Sequence, residues 1–182
     1  MSKIVAGITI SVDGYITGPD DGPGCGLGVG GERLHYWVFG GPWSYESPAQ
    51  GEASGEDKAY LDEMTGANGA VIAGRATYEA AGHWGDANPW DVPLFIVTHR
   101  PGEQPDGGGF TFAGSLADAV EQARAAAGDK QVAHPATNRF PYTHTGSVKP
   151  PTLVASLRRM ADAVSSQASI WSIARSARLG GS

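Results

Sequence analysis

The chain has 182 residues, 41% of them hydrophobic, and a formal net charge of -6, which fits one domain able to bury a core without disulfide or metal staples. Cys25 is its only cysteine, so an intrachain disulfide and a cysteine-built zinc site are excluded, and a reducing cytoplasm is the expected location. The acidic balance argues against nucleic acid as a partner, and no stretch reads as a signal peptide or membrane span.

In chain order, "KIVAGITIS" (3–11) is short and rich in β-branched residues and predicts a buried strand. From Val12 to Gly31 glycine, proline and aspartate dominate, which predicts a long loop of the functional or mobile kind. "ERLHYWVF" follows as a short helix that should carry Trp37 and Phe39 inward. Ser54 is placed as an N-cap, with Asp57 as a weak capping-box partner, for a helix over "GEDKAYLDEM" that gathers Tyr60, Leu61 and Met64 on one face.

"GAVIA" (69–73) and "PLFIVT" (93–98) read as buried strands, separated by a short helix and the loop "GHWGDANPW". "GFTFAG" (109–114) is another strand, and Ser115 caps a helix through about Ala127 with Leu116, Ala119, Val120 and Ala123 on one side. Strands alternating with helices define an α/β fold with a mostly parallel central sheet flanked by helices.

After Lys130 the pattern changes. Residues 131–182 hold six basic side chains and one acid, a formal +5, against -11 for residues 1–130. Prolines at 135, 141, 150 and 151 argue against a central strand, and the serine, alanine and arginine bias leaves only a weak helix over "TLVASLRRMADAV". The expected organisation is therefore a domain over 1–130 and an atypical, basic, poorly ordered tail over 131–182, with the sheet incomplete at its C-terminal end.

The chemistry concentrates at strand ends. Gly74 lets backbone approach a ligand, Arg75 offers a planar fork of donors that matches phosphate oxygens, and Thr77 adds a hydroxyl beside free helix N–H groups. The same residues could simply turn, cap and solvate. A second strand ends in Thr98, His99 and Arg100, which in a parallel sheet would share that edge and suit an adenosine-side phosphate. Asp13 and Gly14 form a turn after the first strand, and Asp13 would present a carboxylate to an amide-like or hydroxylated substrate. The histidines do not cluster, no metal-ligand spacing emerges, and neither a nucleophile elbow nor a P-loop is present.

"SVDGYITGPD", "VIAGRATYE" and "PLFIVTHR", in that order, resemble the dihydrofolate-reductase-like superfamily. More closely they are similar to the C-terminal reductase domain of the bacterial bifunctional riboflavin-biosynthesis deaminase-reductase and its stand-alone relatives, over roughly residues 1–130. The resemblance implies an NADPH-dependent reductase of a small molecule, like 5-amino-6-(5-phosphoribosylamino)uracil reductase. It assigns the cofactor phosphates to Gly74, Arg75 and Thr77 and the adenosine side to Thr98, His99 and Arg100. Asp13 and Gly14 would border the substrate, with Asp13 the candidate catalytic residue.

It also implies a homodimer, made doubtful by the unusual tail. "RLHYWVF" lacks the pterin-binding carboxylate of true dihydrofolate reductases, so a pyrimidine or another small carbonyl or imine compound is expected rather than folate. The superfamily's paired-glycine loop is missing after residue 130, where the composition resembles out-of-frame translation of GC-rich coding sequence. A non-catalytic nucleotide-binding or scaffold protein, or an interaction protein whose basic tail folds on an acidic partner, are the other readings.

Overall fold

The computed structural model describes residues 2–135. Five strands form one sheet: β1 (Ile4–Gly7), β2 (Asn68–Gly74), β3 (Leu94–Val97), β4 (Phe110–Ala113) and β5 (Gln131–Pro135). Their order is β1-β5-β2-β3-β4 and every pairing is parallel. Among the described residues three α-helices, α1 (Gly55–Gly66), α2 (Arg75–Ala80) and α3 (Leu116–Ala127), lie between them. The fold is thus the α/β class that the alternation of strands and helices predicts.

Both faces of the sheet are covered, which is why its strands read as apolar runs rather than alternating ones. On one face Ala70, Ile72, Phe95 and Val132 meet Ala119, Val120, Ala123 and Ala127 of α3. The small residues of α3 let its backbone lie close to the strands. Ser115 Oγ accepts a hydrogen bond from Asp118 N at 3.1 Å and caps this helix as expected. On the other face Val71, Ala73, Leu94 and Ile96 pack with Tyr78, Phe110 and Phe112, bordered by Trp84 and Trp90.

The strand β5 corrects the reading of the sequence after Lys130. "QVAHP" enters the sheet between β1 and β2, with Val132 0% exposed. Pro135 does not prevent this: among the described residues it pairs with Gly7 of β1, while the register with β2 runs no further than Ala133. A proline interrupts a ladder only where its missing N–H is needed, and on the β2 side the described pairing stops before Pro135. At the other end Gln131 Nε2 donates to Asn68 Oδ1 at 2.9 Å, pinning β5 to the buried start of β2. The sheet therefore extends past residue 130, while the rest of the expected tail, its prolines at 141, 150 and 151 and its helix lie outside the described residues.

Smaller corrections follow the same logic. β1 ends at Gly7, so Ile8–Ile10 are not strand. In "ERLHYWVF" the buried side chain is Leu34, while Phe39 is exposed and packs edge-on against Trp43 at 5.3 Å. Ser54 occupies the N-cap position of α1 but makes no side-chain cap bond, and α1 buries no residue fully.

Past α2 the chain takes five successive left-handed residues, Gly82 to Asp86, of which His83, Trp84 and Asp86 are not glycine. Left-handed backbone costs such residues roughly 1–2 kcal/mol each. Tyr78 offsets it through packing: His83 stacks on its ring at 4.4 Å and Trp84 meets it at 5.9 Å.

Candidate functional site

Because the strands are parallel, their C-terminal ends share one edge, where ligands bind in open α/β sheets. Gly74 of β2, Val97 of β3 and Ala113 of β4 are in register there, and Gly7 pairs with Pro135. This edge brings Gly74, Arg75 and Thr77 together with Thr98, His99 and Arg100.

Gly74 has an ordinary extended conformation, and a Cβ built on it would meet nothing within 4 Å. Neither backbone conformation nor packing among the described residues requires glycine here, and the space beside it is open. Arg75 begins α2 with its guanidinium over the rings of Tyr78 and Phe112, at 5.8 and 5.4 Å from their centroids. Its side chain is 21% exposed. Thr77 is buried in the first turn of α2.

Thr98 is buried; its N–H donates to Ala113 O at 2.9 Å and its Oγ1 accepts from Arg100 N at 3.1 Å. That bond turns the chain out of β3 and sets Arg100 beside Arg75. His99, between them, is exposed.

Two carboxylates not singled out in the sequence complete the cluster. Arg75 Nε donates to Glu79 Oε1 at 2.8 Å, and its Nη2 donates to Glu103 Oε2 at 3.1 Å. Arg100 Nη1 donates to Glu103 Oε1 at 3.2 Å, and its Nη2 lies 3.5 Å from Glu79 Oε1. The hydrogen bond to Glu79 is the main cause that holds the Arg75 guanidinium above its already high pKa. Arg75 Nη1 is buried with no hydrogen-bond partner among the described residues.

Glu79 was legible as the i+4 partner of Arg75 on one helix face. Glu103 was not, because it stands 28 residues away and reaches the site only through the fold. It lies on a tight turn after β3, Pro101–Glu103, which is held by Gln104 Oε1 accepting from Phe112 N at 2.7 Å.

Asp13 sits in a local turn. Ser11 Oγ donates to its carboxylate at 2.6 Å and accepts from Tyr15 N at 2.8 Å, while Gly14, at φ 89°, donates its N–H to Ser11 O. Asp13 is exposed and closes this turn. The long loop beyond it is stitched by backbone bonds, among them Gly18 N to Leu27 O at 2.7 Å and Val29 N to Pro19 O at 2.8 Å. It also docks on α2: a Cβ at Gly26 would come within 2.7 Å of Ala80 O, so only glycine permits the approach.

His134 adds a residue that the reading of residues 131–182 as a tail set aside. It lies one position before the end of β5, paired with Ala6, and its Nδ1 is buried without a partner among the described residues. Burial pushes its pKa below the usual histidine value and favours the neutral imidazole.

Among the described residues no group of three or more His, Cys, Asp or Glu could hold a metal ion, and no helix is long and apolar enough to cross a membrane. The fold and the edge define an α/β protein whose parallel sheet presents two arginines, two glutamates and an open glycine at its C-terminal edge.

No protein-family model matches this chain, and no curated protein does. It is similar to a solved structure described as "Putative riboflavin biosynthesis protein" from Shewanella sp. PV-4, with 20% identity, a TM-score of 0.44 and coverage of 74% of this chain. The chain spans 64% of the length of that structure.

Proposed function

We propose that this chain is an NADPH-dependent reductase of a small molecule, built on the dihydrofolate-reductase-like plan. The observation that carries the reading is the convergence of Arg75 and Arg100 from the ends of adjacent parallel strands onto shared carboxylates beside the open Gly74. Two guanidiniums on the ligand-binding edge of such a sheet suit phosphate oxygens. Arg75 Nη1, buried and without a hydrogen-bond partner among the described residues, is a donor that a phosphate would satisfy once the ion pairs around it open.

NADPH, when bound, supplies the hydride. Arg75 and Thr77 would hold its phosphates, Thr98, His99 and Arg100 would line the adenosine side, and Gly74 would admit the ligand close to the strand. Asp13 and Gly14 would border the substrate, for which a pyrimidine or another small carbonyl or imine compound is the proposed class. The loop that Gly26 ties to α2 would position that border relative to Arg75. The protein's part is to bind, orient and exclude water, so no nucleophile is needed. A cytoplasmic location and a homodimer belong to the same proposal.

Calorimetric titration tests it. NADPH should bind more tightly than NADH, and Arg75→Ala should weaken NADPH by about 1.5–3 kcal/mol, roughly 10- to 100-fold. Equal affinity for the two dinucleotides, unchanged by the substitution, would overturn the assignment.

A further inference from the structure

The two glutamates of the cluster differ in what they hold. Glu79 shares α2 with Arg75, and its Oε1 accepts at 2.8 Å from Nε, the atom that orients the guanidinium, while the same oxygen lies farther, at 3.5 Å, from Arg100 Nη2. Glu103 comes from the turn after β3 and spans both cations, with Oε2 on Arg75 at 3.1 Å and Oε1 on Arg100 at 3.2 Å. One anion with each oxygen on a different guanidinium is the arrangement a phosphoryl group would adopt between the same two side chains.

We propose that Glu103 is a built-in competitor of ligand phosphate, closing the Arg75–Arg100 clamp and admitting only an anion that can displace a carboxylate. The proposal rests on the reading of this edge as phosphate-binding. With Glu103 in place two arginines face two glutamates, and the cluster has no net formal charge. Its departure leaves a net positive charge and frees Nη2 of Arg75 beside Nη1, which has no hydrogen-bond partner among the described residues, giving a pair of donors suited to two phosphate oxygens.

The departure is physically easy. Glu103 is 47% exposed and ends a three-residue turn, so its carboxylate can swing into water without leaving a cavity. Ion pairs this exposed are weak. Glu79 stays and keeps Arg75 oriented. A phosphate monoester, with up to two negative charges, exchanges a single charge for a larger one. A ribose hydroxyl brings none and leaves Glu103 where it is. The clamp therefore selects for a terminal phosphate monoester over an uncharged hydroxyl at the same place.

The test is calorimetric titration of the full chain with inorganic phosphate, comparing wild type, Glu103→Gln, Glu103→Ala and Glu103→Gln combined with Arg100→Ala. Both single variants should bind phosphate roughly three- to tenfold more tightly than wild type, and the gain should vanish when Arg100 is also removed. Equal or weaker phosphate binding by both single variants would overturn the proposal, as would a gain that survives loss of Arg100. NADPH titrated in parallel separates the two readings. A phosphate gain in proteins that ignore NADPH would keep the clamp and refute the reductase. Arg75-dependent NADPH binding without any Glu103 effect would do the reverse.

Discussion

Val132→Asp should abolish the folded state. Val132 is fully buried on β5, and β5 is the strand that joins β1 to the rest of the sheet. An aspartate there would set an unpaired carboxylate among Ile72, Ala119 and Ala123, and burying it would cost at least about 4 kcal/mol. Losing β5 would also strip β1 of its ladder, since its strand pairing is with β5. A natural domain has only about 5–15 kcal/mol to lose. Urea unfolding followed by circular dichroism should show no cooperative transition, or one shifted far towards zero denaturant. Lys130→Asp, at an exposed position two residues earlier, should stay within about 0.5 kcal/mol of wild type. A near-native transition for Val132→Asp would mean that 131–135 are not part of the sheet.

Tyr78→Ala carries the second large effect. Its ring is the hub of one core face, within 5.2 Å of Phe110, 5.5 Å of Phe112 and 4.4 Å of His83, and under the guanidinium of Arg75. Truncating a buried aromatic to alanine costs roughly 3–5 kcal/mol. The left-handed turn at Gly82–Asp86 would lose the surface that offsets its strain, and Arg75 would lose one of the two rings beneath it. Tyr78→Phe keeps the ring and should cost less than about 1.5 kcal/mol. Chemical denaturation of both variants checks this. A loss below about 1 kcal/mol for Tyr78→Ala would show that the turn is held by other contacts.

How far these features were legible from sequence depends on the range of the interactions that create them. Strands β2, β3 and β4 and helix α3 follow from apolar runs and from the cap at Ser115, all local signals. Strand β5 was hidden because its only strong signal is Val132, and Pro135 counts against a strand until the register shows it paired with Gly7 while the described pairing with β2 ends at Ala133. The left-handed turn "GHWGD" read as an ordinary loop, since its conformation is paid for by packing on Tyr78 rather than by local preference. The arginines of the site were visible at strand ends, but their partner Glu103 was not. Its contact with Arg75 spans 28 residues, and no periodicity reports it.

Hydrogen exchange of the wild-type protein with and without NADPH locates the ligand most directly. Arg75 and Ala76 open α2, where helix N–H groups have no intrahelical partner, and His99 and Gly102 lie exposed in the turn after β3, so these four should exchange readily in the free protein. NADPH should slow exchange over 74–77 and 98–103, with little protection elsewhere at the edge opposite, and the effect should be lost in Arg75→Ala. Protection confined to other segments, or NADPH binding that leaves 74–77 and 98–103 unchanged, would contradict the placement of a phosphate-binding site at this edge.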